Sequence, residues 1–139
     1  MTTESNMWKW LKKASSSEIY MERIENLASP GFADVFGYSK THGAFFIELK
    51  QCPKPKRLNS KLTFDIRKSQ VIWHRKMSSI GANTWLLMKI GRENYLLPGN
   101  FINPSLCLTL NNKDLINVSK LSPTELINFV LKYKSDTSE

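Results

Sequence analysis

The chain has 139 residues, enough for one domain with its own hydrophobic core, and 41% of them are apolar, which excludes a disordered tail. Its 20 basic and 12 acidic residues give a net charge of +8, which favours a polyanionic partner, most often nucleic acid. No apolar run is long enough to cross a membrane and no secretion leader is visible, so we expect a cytoplasmic protein. Two cysteines are too few for a disulfide framework or a zinc site.

The first thirty residues contain two predicted segments. Residues 1–14 are polar and basic, with Trp8 and Trp10 interleaved, and form either a short helix or an arm. The two tryptophans could pack on the domain, make a dimer contact or stack on unpaired bases. Residues 15–31 are predicted to be a helix, because Ser15 and Glu18 have the spacing of a capping box and apolar residues recur at helical intervals.

The rest of the chain alternates between strand and helix patterns. Runs of alternating apolar residues indicate strands, proline and glycine mark loops, and a capping box opens the last helix at Ser122 and Glu125. In chain order, the predicted elements are strands over 32–38 and 43–51, a loop over 52–61, a helix over 64–81, strands over 83–90 and 94–98, an irregular stretch, and a helix over 122–134.

The strand over 43–51 contains charges that a buried strand rarely carries. Glu48 and Lys50 share one face of it, and Asp34 would come close if the preceding strand pairs antiparallel. Two neighbouring carboxylates repel unless a cation lies between them, and oxygen ligands favour Mg²⁺ or Mn²⁺. Metal, lysine and basic surroundings suit attack by water on a phosphodiester. The simpler alternative is an edge-strand charge pair that prevents aggregation.

The segment "GFADVFGYSKTHGAFFIELK" resembles the core motif of the PD-(D/E)XK nuclease superfamily, although Ala33 stands where that motif has proline. "RIEN" before it and "RKSQVIWHRKMSSIGANTWLLMKI" after it are similar to the virus-type replication-repair nuclease (VRR-NUC) branch and to Holliday-junction resolvases. The resemblance implies an α/β (α+β) domain with a restriction-endonuclease-like αβββαβ core and a mixed four-stranded sheet between helices. We divide residues 1–139 into an arm (1–14), a catalytic core (15–98) and an extension with the final helix (99–139).

The resemblance also implies roles for individual residues. Asp34 and Glu48 would bind the metal, together with the backbone carbonyl of Leu49. Lys50 would be the catalytic lysine, which orients the attacking water and stabilises charge on the phosphate. Gln70 would be the supporting glutamine that faces the same pocket.

An acid from the first helix joins the site in such enzymes, and by the "RIEN" pattern we choose Glu25. Glu18, Glu22 and Glu25 would all lie on one face of the predicted helix over 15–31, so a solvated acidic stripe is the competing interpretation. DNA contacts are assigned to basic residues that follow the catalytic strand, because they would lie at the mouth of the site. These are Lys54, Lys56, Arg57, Lys61, Arg67 and Lys68.

The function predicted from the sequence is a Mg²⁺-dependent endonuclease that cuts branched DNA, a Holliday junction or a flap, as a homodimer. The resemblance implies products with a 5′-phosphate and a role in phage or bacterial recombination, replication or repair. Two alternatives stay open: a non-cleaving nucleic-acid-binding or anti-host protein on a nuclease-derived scaffold, and a restriction-type enzyme that reads a base sequence.

Overall fold

The computed structural model describes residues 3–24 and 31–133. Within these residues the chain forms three α-helices and six strands, together with two short 3₁₀ helices at Lys12–Ala14 and Gly99–Phe101. None of the helices in this part of the chain has the length and apolar character needed to span a membrane. In chain order, the elements are α1 (Thr3–Leu11), β1 (Ile19–Arg23), β2 (Val35–Ser39), β3 (Gly43–Cys52), α2 (Lys68–Ser79), β4 (Asn83–Ile90), β5 (Glu93–Pro98), β6 (Ile116–Asn117) and α3 (Pro123–Lys132).

The six strands form one mixed sheet in the order β1-β2-β3-β4-β5-β6. Only the β3–β4 pair is parallel among the described strands, and α2 is the crossover that joins them. The predicted αβββαβ order is present as α1, β1, β2, β3, α2 and β4, which confirms the fold class. The sheet is wider than the four strands expected, because β5 and the two-residue β6 continue it beyond β4.

The helix predicted over 15–31 is wrong where the structure describes it, because Ile19–Arg23 is strand β1. Five residues of this segment pair with β2, so ladder hydrogen bonds satisfy its backbone. Met21 points into the core while Tyr20 and Glu22 are exposed or half-exposed, which is the two-residue alternation of a strand. The apparent helical spacing was fortuitous, and Glu18 and Glu22 do not share a helical face.

The first helix lies instead at the start of the chain. Residues 3–11 form α1, whose Met7 and Leu11 are buried in the core. Trp8 and Trp10 are partly buried and pack against the same core cluster. Of the interpretations left open for this segment, the structure therefore shows a helix packed on the domain rather than a free arm.

Two hydrophobic clusters cover the two faces of the sheet. The first takes Ile47 and Leu49 of β3 and is closed by α1 and α3, with Trp85 at its centre. The second takes Leu86 and Met88 of β4 and is closed by α2, by residues from the stretch before it and by residues from the stretch after β5. Because side chains alternate along β3, burial of Ile47 and Leu49 on one face turns Glu48 to the other.

Strand β3 lies in the middle of the sheet. It pairs with β4 over residues 45–52 and with β2 over residues 43–47, so Glu48 and Lys50 lie just beyond the β2 ladder. The interpretation of Glu48 and Lys50 as an edge-strand charge pair is wrong, because β3 is an inner strand of the sheet and Glu48 is fully buried rather than exposed along an edge. A charged pair in a central strand needs another explanation, and the surrounding side chains supply it.

Candidate active site

Glu48 is the centre of a polar cluster between β3 and α2. Its side chain is fully buried, and Lys50, two residues along the same face, is only 12% exposed. The Lys50 Nζ lies 3.9 Å from Glu48 Oε2, within ion-pair distance whenever Glu48 is ionised. A buried carboxylate is costly unless hydrogen bonds or charges compensate it.

Asp34 reaches the same cluster from the residue before β2. Antiparallel pairing sets Val35 opposite Ile47, which places Asp34 beside Glu48, as the sequence predicted. The Asp34 Oδ2 accepts a hydrogen bond of 2.8 Å from the Leu49 backbone N–H. This bond fixes the direction of the Asp34 carboxylate relative to β3.

A glycine holds the approach to β2 against the start of α2. Gly31 has φ +98°, a left-handed conformation that favours glycine, and a Cβ there would lie 2.4 Å from the Ser69 carbonyl oxygen. Any side chain at this position would separate the segment leading to Asp34 from the first turn of α2, which carries Gln70. The close backbone contact therefore sets the distance between the two polypeptide segments of the site.

Gln70 uses both ends of its amide to connect the cluster. Its Nε2 donates to Glu48 Oε2 at 2.8 Å, and its Oε1 accepts from Lys50 Nζ at 3.0 Å. The same Oε1 also accepts from the Arg67 backbone N–H at 2.9 Å, so Gln70 helps to cap the N-terminus of α2. Because donor and acceptor are both engaged, the orientation of this amide is determined by its partners.

His74 was not predicted as a member of this cluster. It is fully buried one turn after Gln70, and its Nε2 lies 3.4 Å from Glu48 Oε1. Its Nδ1 is buried without a hydrogen-bond partner in the described structure. The signal in the sequence was its position four residues after Gln70, which puts both side chains on one helical face. Helix α2 therefore contacts both oxygens of the Glu48 carboxylate.

The electrostatics of the cluster oppose two charged acids. Burial, followed by the charge of Asp34 and a hydrogen bond with it, raises the pKa of Glu48 to about 10, against a smaller lowering by Lys50. Burial and the Lys50 charge lower the pKa of His74 to about 4, so His74 is neutral at physiological pH. With His74 neutral, Lys50 is the one cationic side chain described in the cluster, and it does not balance two ionised carboxylates.

A further acid, Glu4 of α1, is close enough for its charge to raise the Glu48 pKa slightly. Glu4 is thus an acid of the first helix near the site, and the sequence did not point to it because the first helix was predicted at 15–31. Glu25, the residue chosen from the sequence, lies outside the described residues. Within residues 3–24 and 31–133, no three side chains of Asp, Glu, His or Cys are grouped closely enough to enclose an ion by themselves.

The six basic residues assigned to DNA are all exposed. Four of them lie on the loop after β3, and this loop begins beside the β4–β5 turn, where Lys54 contacts Gly91. The other two stand at the start of α2, in the same turn as Gln70. They are Lys54, Lys56, Arg57, Lys61, Arg67 and Lys68.

No protein-family model and no curated protein matches the sequence. Among solved structures, the chain is similar to Hjc, a Holliday junction resolvase from Archaeoglobus fulgidus, with a TM-score of 0.50 and 14% identity over 91% of this chain and 97% of that chain. It is also similar to a VRR_NUC domain, with a TM-score of 0.46 and 18% identity over 66% of this chain and 86% of that one. The likeness to Hjc confirms the fold class that the sequence motif implied: the chain shares the fold of that resolvase.

Proposed function

We propose that this chain is a metal-dependent endonuclease that hydrolyses phosphodiester bonds in branched DNA. The observation that carries the proposal is the cluster at β3, in which buried Glu48 meets Asp34, Lys50 and Gln70. A strand core has no structural need for this arrangement, since an apolar side chain would pack there at lower cost. A buried acid with a raised pKa beside a lysine is a frequent feature of catalytic sites.

The residues present fit a hard divalent cation. Asp34 and Glu48 supply two carboxylates whose mutual repulsion a cation would relieve, and we assign them and the Leu49 carbonyl as ligands. Magnesium is commonly held by one or two carboxylates, with water and substrate phosphate completing its coordination, so a cage of three acidic side chains is not required. Bound Mg²⁺ or Mn²⁺ would lower the pKa of a coordinated water and offset charge on the phosphate.

Lys50 is the residue placed to act on the reacting groups. Its ammonium is held by Gln70 Oε1 and by the Glu48 carboxylate, so it approaches the acids in a defined direction. From there it would orient the attacking water and stabilise negative charge that develops on the phosphate. Gln70 acts through Lys50 and Glu48 and is a positioning residue, as is Glu4 in this proposal.

The branched substrate and the homodimer are also proposals. The net charge of +8 and the exposed basic residues near β3 and α2 suit the DNA backbone. Residues 3–24 and 31–133 form one sheet with its helices and include no separate module for reading a base sequence, so shape would determine which DNA is cut. Symmetric cleavage of a junction needs two active sites, which a dimer would supply.

The experiment is a cleavage assay on labelled four-way junction, flap, single-stranded and blunt duplex DNA, with Mg²⁺, Mn²⁺ or EDTA. We expect cleavage of branched DNA with either metal and none in EDTA. Asp34→Asn and Glu48→Gln should each abolish it while the proteins remain folded, because both changes relieve repulsion in the metal-free protein.

Three results would contradict the proposal in different ways. Full activity in EDTA would exclude the metal. Binding of DNA with no cleavage under any metal would favour the non-cleaving binding protein. Cleavage at one fixed base sequence in blunt duplex, as fast as in any junction, would favour the restriction-type enzyme. A matched control is Asp65→Asn, which removes an exposed carboxylate on the loop before α2 and should leave cleavage intact.

A further inference from the structure

One face of β1, β2 and β3 carries neighbouring aromatic rings. By strand register, Tyr20, Tyr38, Phe36 and Phe46 point to the same side of the sheet as the carboxylates of the site. The ring centroids lie 6.4 Å apart for Tyr20 and Phe36, 5.7 Å for Phe36 and Phe46, and 5.4 Å for Phe46 and Trp73 of α2. We call these five residues the aromatic track.

The track is not part of the hydrophobic core. Neither buried cluster of the described residues includes any of its rings. Tyr20 is 54% exposed and Tyr38 is 53% exposed, and the other three rings are half-buried. A contiguous apolar surface of this kind on a soluble domain marks a binding site more often than a structural feature.

The outer end of the track has a defined shape and chemistry. Tyr20 Oη donates to Glu22 Oε1 at 2.7 Å, which restrains the ring. A groove of about 620 Å³ runs along this edge of the sheet, and Lys12 and Lys40 line it together with Tyr20 and Tyr38. Glu18 is the one acid in the lining, so the groove itself carries more positive than negative charge.

The inner end of the track reaches the candidate active site. Trp73 contacts His74 at a centroid distance of 4.9 Å, and His74 contacts Glu48. Along β2, Tyr38 lies four residues from Asp34, a distance of roughly 13 Å in a strand. A chain molecule whose reacting group lies at Glu48 can therefore reach these rings with the next one or two of its repeating units.

We propose that the aromatic track binds unpaired bases of the DNA strand whose phosphate lies at Glu48. The inference rests on the proposed function, which places a phosphodiester there. Aromatic faces bind bases of any sequence by stacking, and neighbouring lysines attract the phosphates. Bases inside a duplex are already stacked on each other and cannot reach a ring on a sheet, so the occupant must be single-stranded. The excess positive charge of the chain disfavours a basic protein partner on the same face.

The inference narrows the substrate class. Branched DNA with an unpaired segment at the branch, such as a flap or a splayed arm, can occupy the track and the acidic site together. A fully paired four-way junction offers no free base to the rings. We therefore expect tighter binding of a flap than of a closed junction with the same number of phosphates.

The test measures binding rather than cleavage. Fluorescence anisotropy in EDTA gives the affinity for a single-stranded oligonucleotide, a flap and a blunt duplex. The variants are Tyr20→Ala with Tyr38→Ala, the same pair changed to Phe, and Ile72→Ala as control. Ile72 is exposed to the same extent as Tyr20 but lies on α2 and outside the track.

We expect the Ala pair to bind the flap and the single strand about tenfold more weakly, because stacking on each ring contributes measurably to binding. The Phe pair keeps the rings and should retain most of the affinity. Blunt duplex should bind all four proteins alike. Equal losses on duplex and flap, or no loss on either, would overturn the inference.

Sedimentation velocity tests whether a second copy of this chain, rather than DNA, occupies the aromatic track. If the wild type is a dimer and the Ala pair is a monomer, the track covers a second copy of this chain and the inference is wrong. Because binding is read in EDTA, the inference can stand even if no metal supports cleavage. Conversely, if the wild type cuts DNA and the Ala pair binds flaps with normal affinity, base binding by the aromatic track is refuted and the proposed nuclease function stands.

Discussion

The raised pKa of Glu48 makes the stability of the metal-free protein depend on pH. In the folded state this carboxyl stays protonated up to about pH 10, whereas in the unfolded chain it ionises near its usual value of 4.5. The folded state therefore holds one proton more over this range, and its stability falls as pH rises. The slope is roughly 1.4 kcal/mol per pH unit for one such group, or about 3 kcal/mol between about pH 6.5 and 8.5.

The choice of this pH window removes the opposing contribution of His74. Its pKa is lowered to about 4, so its contribution to stability grows as pH rises from there toward 6.5 and is complete above that. Glu48→Gln mimics the protonated carboxyl and cannot ionise. We therefore expect it to be less sensitive to pH than the wild type by about the slope given above, and to be the more stable protein at pH 8.5.

The assay is urea unfolding in EDTA, followed by the fluorescence of the four tryptophans. Wild type, Glu48→Gln and the control Asp65→Asn are compared at several pH values, since groups common to all three cancel in the differences. Saturating Mn²⁺ should flatten the wild-type profile, because a bound cation holds Glu48 ionised. Identical pH slopes for wild type and Glu48→Gln in EDTA would refute the reasoning.

Two further predictions concern the basic side chains. Lys50→Ala should lower the rate of cleavage at saturating DNA by roughly a hundredfold, by analogy with the loss of one electrostatic stabiliser, while affinity changes little. The opposite pattern, weak binding with a normal rate, would make Lys50 only a phosphate anchor. Removing the charges of the loop after β3 should weaken binding to every form of DNA. In salt titrations, the slope of log binding constant against log salt concentration should become shallower by about one unit for each phosphate that the loop neutralises. An unchanged slope would place the loop away from DNA. The four residues to change to Ala are Lys54, Lys56, Arg57 and Lys61.

The strands at the centre of the sheet were the most predictable part of the fold. The run over 83–90 was assigned residue for residue, because a fully buried strand between Gly81 and Gly91 has few alternatives. The final helix was equally clear, since Ser122 accepts from the Glu125 N–H and the Glu125 carboxylate accepts from the Ser122 N–H. In both cases the residues of the segment itself and those at its two ends were enough to predict the type of element and where it starts and stops.

The segment over 15–31 failed for the opposite reason. Its capping residues and apolar spacing are compatible with a helix, but pairing with β2 supplies hydrogen bonds that a local pattern does not reveal. This error displaced the first helix, so Glu4 was not considered; the choice of Glu25 stays a prediction, because it lies outside the described residues. The short β6 was missed because two residues have no period to detect.

In the candidate site, the residues that a motif spaces along the chain were found and those that only tertiary packing brings in were not. Asp34, Glu48, Lys50 and Gln70 come together as their order implied, although their catalytic roles stay predictions. His74 belongs to no motif, and its only signal was the four-residue spacing from Gln70, which gives the helical face but not the carboxylate that the face contacts.

The central position of β3 has a consequence for insertions and deletions. One face of the strand is determined by the burial of Phe45, Ile47 and Leu49 under α1 and α3. If one residue were added or removed inside the strand, every later side chain would exchange faces, and Glu48 with Lys50 would turn into that apolar cluster. A substitution in β3 changes one side chain, whereas an insertion or deletion would disrupt the candidate site and the hydrophobic core together. The alternation of side chains along the strand, rather than any single contact, therefore keeps Glu48 and Lys50 on the face opposite the apolar cluster.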